Sequence, residues 1–241
     1  MSNPILNEKF TQQERVLTGE PMTVNGALEV TAIMRVLMVA AAYFVWSKFA
    51  AGYTDMAYML TSVGLIAGFI VAMIIAFTRK KALVPVYALL EGLFVGGVSA
   101  VFEASYPGIV SMAVMGTFAA LFSMLFLYKI RAIKCTERFR SVVFISTCSI
   151  AAVYLVDFIG HFFHYAVPVI NTSSNFGILF SLVVVAIAAL NLIIDFDFIE
   201  QGARNMLPKD YEWYGAFGLM VTVVWLYIEI LKLASKFMDR R

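Results

Sequence analysis

Charged residues are scarce in this chain of 241 residues, because Asp, Glu, Lys and Arg make up 14% of it, against about 25% in soluble domains. Hydrophobic residues make up 61%, against roughly 45–50% in soluble domains. This composition excludes an ordinary soluble protein. The net charge is only +2, and the basic residues lie between apolar runs rather than in one patch. We therefore expect no nucleic acid among the partners.

Cysteine and histidine are equally rare, with two residues of each. Cys135 lies in a basic segment and Cys148 in an apolar run, which excludes a disulfide framework and a thiolate metal cluster. Asp157, His161 and His164 share one face of a predicted helix, a spacing compatible with a Zn²⁺ site. That helix ends at this point, so we favour a polar belt at the membrane interface.

The common catalytic motifs are absent from the sequence. It contains no HExxH, no GxSxG, no glycine loop for phosphate and no GxGD of the kind typical of membrane aspartyl proteases. We therefore predict neither enzymatic activity nor a bound cofactor.

Seven apolar runs occupy most of the chain, and each is long enough to cross about 30 Å of hydrocarbon as a helix. A polar stretch, 1–26, precedes them and lacks the features of a secretory signal peptide. We predict an all-α multi-pass membrane protein with a cytosolic tail, 1–26, and a single seven-helix domain, 27–241. The runs are 27–49, 56–77, 82–104, 108–128, 139–163, 175–199 and 215–237.

The distribution of Lys and Arg between the runs predicts the orientation, since positive loops stay in the cytoplasm. Before the C-terminal end, Lys48 alone falls on one side, whereas twelve basic residues fall on the other. The N-terminus is therefore expected in the cytoplasm, and the short loops favour a bacterial inner membrane. The twelve are Lys9, Arg15, Arg79, Lys80, Lys81, Lys129, Arg131, Lys134, Arg138, Arg140, Arg204 and Lys209.

Ionisable residues inside the apolar runs are candidate functional residues, because a charge in hydrocarbon costs several kcal/mol. Glu91 has no evident partner on its own helix, so we expect it to be protonated, paired across helices or hydrated. Glu229 has Lys232 three positions further on, and a local Glu–Lys pair is the alternative to a functional role.

Asp195 and Asp197 lie near the end of the sixth run, about 200° apart around a helix. We expect Asp195 to point into the bundle and Asp197 to reach the headgroups. Arg79, at the end of the second helix, is predicted at the same membrane depth as Asp195, where an ion pair would lower the cost of burying the carboxylate.

Three segments carry a likeness to a known family: AFTRKKA at 76–82 with Tyr87 and FVGGVS at 94–99, IDFDFI at 194–199, and LYIEIL at 226–231. In these segments the chain resembles the Bax inhibitor-1 family, also called the transmembrane Bax inhibitor motif or YccA-like family. The resemblance implies a seven-helix bundle with the last helix at its centre and a pH-sensitive leak of Ca²⁺. It also implies that Asp195 and Glu229 form a two-carboxylate sensor and that Arg79 latches Asp195.

The start of the last helix decides whether Asp195 and Glu229 meet. A helix starting at Tyr211 would place Glu229 about 27 Å along it, too deep to reach Asp195. We therefore expect 202–213 to lie along the interface and the last helix to start near Gly215. Otherwise Asp197 or Glu91 would be the partner of Asp195.

Two carboxylates close together in a medium of low dielectric constant titrate as a coupled pair. Deprotonated, Asp195 and Glu229 would offer oxygen ligands to a passing Ca²⁺. The leading hypothesis is a proton-gated Ca²⁺ leak across the lipid bilayer. The alternative is a regulatory membrane protein that binds a membrane protease or a stress or cell-death partner.

Overall fold

A computed structural model describes residues 20–163 and 172–240, with the backbone alone for 161 and 162. Within these residues seven α-helices are long and apolar enough to cross a bilayer, which confirms the predicted all-α, multi-pass fold. The shortest has 21 residues and the longest 30, or about 32–45 Å. They are α1 (Val24–Ala50), α2 (Thr54–Thr78), α3 (Val84–Ser105), α4 (Ile109–Lys129), α5 (Glu137–Phe162), α6 (Asn175–Arg204) and α7 (Tyr211–Met238).

Local chemistry sets the ends of these helices. Thr23 caps α1, and its hydroxyl accepts a hydrogen bond from the Gly26 amide at 2.9 Å. Arg79 ends α2 in the left-handed conformation, with φ of 52°, while its amide still donates to the Ile75 carbonyl. A 3-10 turn, Lys81–Leu83, then leads directly into α3.

The last helix begins at Tyr211, so the expected start near Gly215 is wrong. Residues 211–214 are polar or aromatic, and hydropathy alone places them outside the apolar run. α6 also continues beyond its apolar run to Arg204, which leaves only 205–210 as the connection. Glu229 is thus 18 residues, or about 27 Å, along α7 from its first residue.

The chain divides into two compact units, which are described one at a time. Unit 1 contains the chain up to Ala100 together with Asp195–Met220, and unit 2 contains Val101–Ile194 together with the chain from Val221. The last helix is the most buried of the seven, with 56% of an 18-residue stretch buried, against 11–44% in the other helices. This burial agrees with the central helix that the resemblance implies.

Glycines allow the first three helices of unit 1 to approach closely. A Cβ added at Gly64 of α2 would lie 2.6 Å from the Leu90 carbonyl oxygen of α3. On α3, Gly92 and Gly96 lie against the backbone of α1, where a side chain would clash with the carbonyl oxygens of Met38 and Ala42. Small residues four apart are a common way for membrane helices to pack, since lipid provides no hydrophobic drive between them.

The beginning of α7 completes the core of unit 1. The Tyr87 and Phe217 rings pack edge to face, with centroids 5.0 Å apart. Met34 of α1, Ile75 of α2 and Met220 of α7 are fully buried in the same cluster.

A short segment, residues 20–23, is called the strap because it connects the start of α1 to the connection before α7. The Met22 amide donates to the Leu207 carbonyl at 2.7 Å, and the Lys209 amide to the Glu20 carbonyl at 3.2 Å. Met22 is 2% exposed, and its side chain lies beside Gly202 and Gly215. The strap thus belongs to the core of unit 1.

In unit 2 a hydrogen bond connects two helices inside the spans. The Asn191 amide of α6 donates to the Thr147 hydroxyl of α5 at 2.9 Å and to the Ile187 carbonyl at 2.9 Å. A further close approach joins Gly116 of α4 to α7, where an added Cβ would lie 3.2 Å from the Ile230 side chain.

Candidate functional site

Asp195 lies on α6 in unit 1 and faces α7. An added Cβ at Gly218 would be 3.5 Å from Asp195 Oδ1, so the missing side chain makes room for the carboxylate. Its other oxygen, Oδ2, is buried. This inward position is the one expected from the sequence.

Asp197 does not have the exposed position that we expected. Its residue is 8% exposed, and its carboxylate accepts a hydrogen bond from the Gln201 amide one turn later, at 2.9 Å. The expectation of one inward and one outward aspartate assumed that α6 has a single packed face. Asp197 is instead buried within unit 1, and Asp195 is half-buried there.

Arg79 is directed towards the first turn of α7. Its guanidinium donates to the Tyr211 hydroxyl at 2.7 Å and lies 5.7 Å from the centre of that ring. Both residues belong to unit 1. An ion pair between Arg79 and Asp195 stays a prediction, and Tyr211 is a partner that the sequence analysis missed.

Glu91 has a local partner after all, which corrects the expectation from the sequence. The Tyr87 hydroxyl, one helical turn earlier, donates a hydrogen bond to the Glu91 carboxylate. Glu91 Oε2 also lies close to α2, since an added Cβ at Gly68 would be 3.7 Å away. The spacing of four between Tyr87 and Glu91 was visible in the sequence.

Glu229 lies in unit 2 and is 1% exposed, although it is a carboxylate in the middle of an apolar helix. The Tyr154 hydroxyl of α5 donates to Glu229 Oε2 at 2.7 Å, and the Lys232 ammonium donates to Oε1 at 3.2 Å. Lys232 Nζ is also 4.6 Å from the centre of the Tyr154 ring. The local Glu–Lys pair is therefore present, and Tyr154 adds a second donor from another helix.

Glu229 is the first of several polar residues along one face of α7. Lys236, two turns later and 8% exposed, donates to the Gly177 carbonyl at 3.0 Å and to the Ser181 hydroxyl at 2.9 Å. Arg240 donates to the Ser173 carbonyl at 2.6 Å. The steps of three, four and four from Glu229 through Lys232 and Lys236 to Arg240 follow a helical face, so the sequence already contained this signal.

Glu212 is a buried acid that the sequence analysis did not consider. It is 3% exposed in the first turn of α7 and accepts hydrogen bonds from the Thr23 amide at 2.9 Å and the Thr23 hydroxyl at 3.0 Å. Its carboxylate thereby lies beside the first turn of α1, where helix amides carry partial positive charge. Glu212 stabilises the strap.

No group of three His, Cys, Asp or Glu side chains within the described residues is arranged to hold a metal ion. His164 and the side chain of His161 lie outside those residues, so the Zn²⁺ hypothesis with Asp157 is not tested. Asp195 and Glu229, the expected Ca²⁺ ligands, belong to unit 1 and unit 2 respectively.

Seven apolar helices with carboxylates inside their spans define a multi-pass membrane protein. A family model described as Bax inhibitor 1 like matches residues 3–239, which is nearly the whole chain. The chain belongs to this family, and the resemblance noted in the sequence is confirmed. A search of curated proteins finds no significant match.

Proposed function

We propose that the protein is a pH-sensitive cation leak with Ca²⁺ as the permeant ion, controlled by Asp195 and Glu229. The burial of Glu229 carries the proposal, because a carboxylate that is 1% exposed in a membrane helix is costly even beside its partly exposed partner Lys232, and such acids commonly mark ion or proton paths. Asp195, Asp197 and Glu91 are further acids within spans, and membership of the Bax inhibitor family agrees with the proposal.

The contacts of Glu229 supply a physical means of control. Lys232 and Tyr154 each donate a hydrogen bond to one oxygen of the Glu229 carboxylate, so a passing cation must compete with an ammonium and a hydroxyl. Ca²⁺ prefers several oxygen ligands, and a leak requires weak and reversible binding. Protonation of Glu229 would remove the charge that holds Lys232 and would bias the packing of α7.

Arg79 and Tyr211 supply a second point of control in unit 1. Their hydrogen bond joins the end of α2 to the first turn of α7, on the helix that carries Glu229. If Arg79 also latches Asp195, neutralising that aspartate frees α6 from the end of α2 and leaves Tyr211 as the partner of Arg79. Lys81 is a matched comparison, since it lies two positions away and forms an exposed pair with Asp210 at 2.6 Å.

Purified protein in liposomes that contain a Ca²⁺ indicator, measured over a series of pH values, tests the proposal. We expect Ca²⁺ flux that depends on pH, and Asp195→Asn and Glu229→Gln should each lose most of this dependence. Asp197→Asn should keep it. The double variant Asp195→Asn/Glu229→Gln tests coupling, since two coupled acids give less than the sum of the single effects.

A second set of variants tests the latch. Arg79→Ala should raise the basal leak, whereas Lys81→Ala should change it little. Equal effects would show that Arg79 is only a positive charge at a helix end. Flux from the wild-type protein no greater than that of protein-free vesicles at every pH would overturn the leak and favour the regulatory alternative.

A further inference from the structure

The connection between α4 and α5 differs from the other basic connections by the number of cations that it leaves without a carboxylate. Residues 129–140, called the basic loop, contain five basic residues and a single acid, Glu137. Arg140 pairs with Glu137 at 3.2 Å and donates to Cys135 Sγ at 3.3 Å. The other four cations are exposed and form no ion pair with a described residue: Lys129, Arg131, Lys134 and Arg138.

Three basic residues at the connections of unit 1 are arranged differently. Lys81 pairs with Asp210, Arg204 with Glu200, and Lys209 with Glu20. Among the described residues, unit 1 therefore leaves one exposed loop cation without an ion pair, Lys80, against four in the basic loop. The four cations without an ion pair in the basic loop therefore require an explanation of their own.

Stability of the adjoining helices explains only part of this charge. Cations near the end of α4 interact favourably with its last carbonyl groups, which accounts for Lys129 and Arg131. Arg138 is the second residue of α5, and Lys134 lies just before that helix. The beginning of a helix carries partial positive charge, so these two cations are placed where the helix dipole disfavours them.

The backbone of the basic loop is well defined. The amides of Arg131 and Ala132 donate to the carbonyls of Tyr128 and Leu127, both at 3.0 Å, and close the end of α4. The Thr136 hydroxyl accepts from the Phe139 amide at 3.2 Å and caps α5. The four cations thus project from a preorganised frame, which lowers the entropic cost of binding a ligand.

Apolar residues flank the basic loop on both sides and fix its depth. Phe126 lies three residues before Lys129, and Val142 lies four residues after Arg138; both are exposed on helices that span the bilayer. We expect side chains this exposed on apolar helices to face acyl chains, which places Lys129 and Arg138 about one helical turn, roughly 5 Å, from the edge of the hydrocarbon. At that depth the available anions are the phosphates of lipid headgroups.

We propose that the basic loop is a binding surface for anionic lipid headgroups, through Lys129, Arg131, Lys134 and Arg138. Clusters of four or more cations beside a membrane helix attract anionic lipid, and the attraction decreases within a Debye length. The surface would enrich anionic lipid around α4 and α5. This inference is independent of the proposed leak.

Cys135 provides a natural probe within the loop. The full chain with Cys148→Ser is labelled at Cys135 with a bimane and reconstituted in phosphatidylcholine vesicles. A nitroxide near the headgroup is carried either by phosphatidylglycerol or by phosphatidylcholine, and the ratio of the two quenching efficiencies measures the lipid preference. We expect several-fold stronger quenching by phosphatidylglycerol, and a ratio near one at about 0.5 M salt, where screening is strong.

Two variants in the same loop provide a matched comparison. Lys134→Gln removes an unpaired cation and should lower the ratio by about twofold or more, whereas Glu137→Gln/Arg140→Gln removes an ion pair, keeps the net charge of the loop and should leave the ratio nearly unchanged. The wild-type salt series needs no variant to fold. A wild-type ratio of one would overturn lipid binding in favour of a soluble acidic partner. A ratio insensitive to salt, or equal losses in both variants, would also overturn it.

Discussion

The two units of this protein place their charges in opposite ways. Unit 1 pairs two cations of its connections with carboxylates from distant parts of the chain, Lys81 with Asp210 and Lys209 with Glu20. Unit 2 leaves four cations of the basic loop without an ion pair among the described residues, pairs Arg140 with Glu137 in that loop, and forms a further ion pair inside α7, between Glu229 and Lys232. Ion pairs therefore connect loop segments in unit 1, whereas in unit 2 an ion pair lies within the membrane-spanning part of the last helix.

This difference follows from how each unit packs. Unit 1 already has helices in close contact through glycine, so its ion pairs add little to the core and serve to fix loops. In unit 2 polar side chains connect the second half of α7 to α5 and α6, through Tyr154 and Ser181. A polar contact inside a membrane is harder to replace with water, so we expect the internal contacts to matter more.

The largest effect is expected at a glycine contact in unit 1. Gly64→Ala places a Cβ 2.6 Å from the Leu90 carbonyl oxygen, which the backbone of α3 cannot avoid, and overpacking of this kind costs about 2–3 kcal/mol. Thermal unfolding in detergent should show a clearly lower Tm. Gly68→Ala is the control on the same helix, because its Cβ would meet only ordinary contacts at 3.7 Å. Equal Tm values for the two variants would show that α2 and α3 do not pack as described.

The next effect is expected at the internal ion pair of unit 2. Glu229→Leu removes the acceptor of both Tyr154 and Lys232, and leaving such donors without a partner costs about 1–3 kcal/mol. Lys232 is partly exposed, which keeps the loss below that of a fully buried pair.

A double-mutant cycle measures that pair directly. Lys232→Leu combined with Glu229→Leu should recover part of the lost stability, because no unpaired charge then remains. Strictly additive losses in the cycle would mean that the two side chains do not interact.

A smaller loss of stability is expected at the strap. Thr23→Val keeps the shape of the side chain but removes the hydroxyl that caps α1 and donates to Glu212. We expect the free energy of unfolding to fall by about 1–2 kcal/mol. Amide hydrogen exchange at Met22 should become faster, while exchange within unit 2 stays the same. Thr23→Ser keeps the hydroxyl and serves as the control. If Thr23→Ser accelerated exchange as much as Thr23→Val, the hydroxyl would not be the cause.

The smallest effect concerns the exposed pair of Glu20 and Lys209. The hydrogen bond and charge of Lys209 lower the pKa of Glu20 below its ordinary 4.5. A lowered pKa means that the pair stabilises the strap above pH 4.5 and that this contribution is lost as the pH falls below it. Carboxyl NMR of Glu20 should give a midpoint below 4.5. Lys209→Gln should return it to the ordinary value, and an unchanged midpoint would rule out the pair.

The sequence was sufficient to predict the membrane-spanning helices, because apolar runs of about 20 residues occur mainly in such helices. It predicted the start of α7 poorly, since Tyr211 and Trp213 belong to a helical turn that hydropathy excludes from the membrane. The strap was not predictable at all. Its partners, Thr23 and Glu212, are 189 positions apart, and nothing in either local sequence indicates the other.

The candidate site was predicted in part for the same reason. Contacts along one helix, such as Glu229 with Lys232 and Tyr87 with Glu91, follow spacings of three and four that can be read directly. Contacts between helices, such as Tyr154 with Glu229, depend on which faces meet. The burial of Asp197 shows the same limit, because the rotation of α6 was predictable but the number of its packed faces was not.

The strap also sets an order of events during synthesis of the chain. Unit 1 is discontinuous in sequence, so the ribosome completes Val101–Ile194 before it makes the second portion of unit 1. Until Glu212 emerges, the amide and hydroxyl of Thr23 lack this acceptor, and Met22 has neither Gly202 nor Gly215 to pack against. The first helices of the protein therefore stay incompletely assembled in the membrane until the last helix has been inserted.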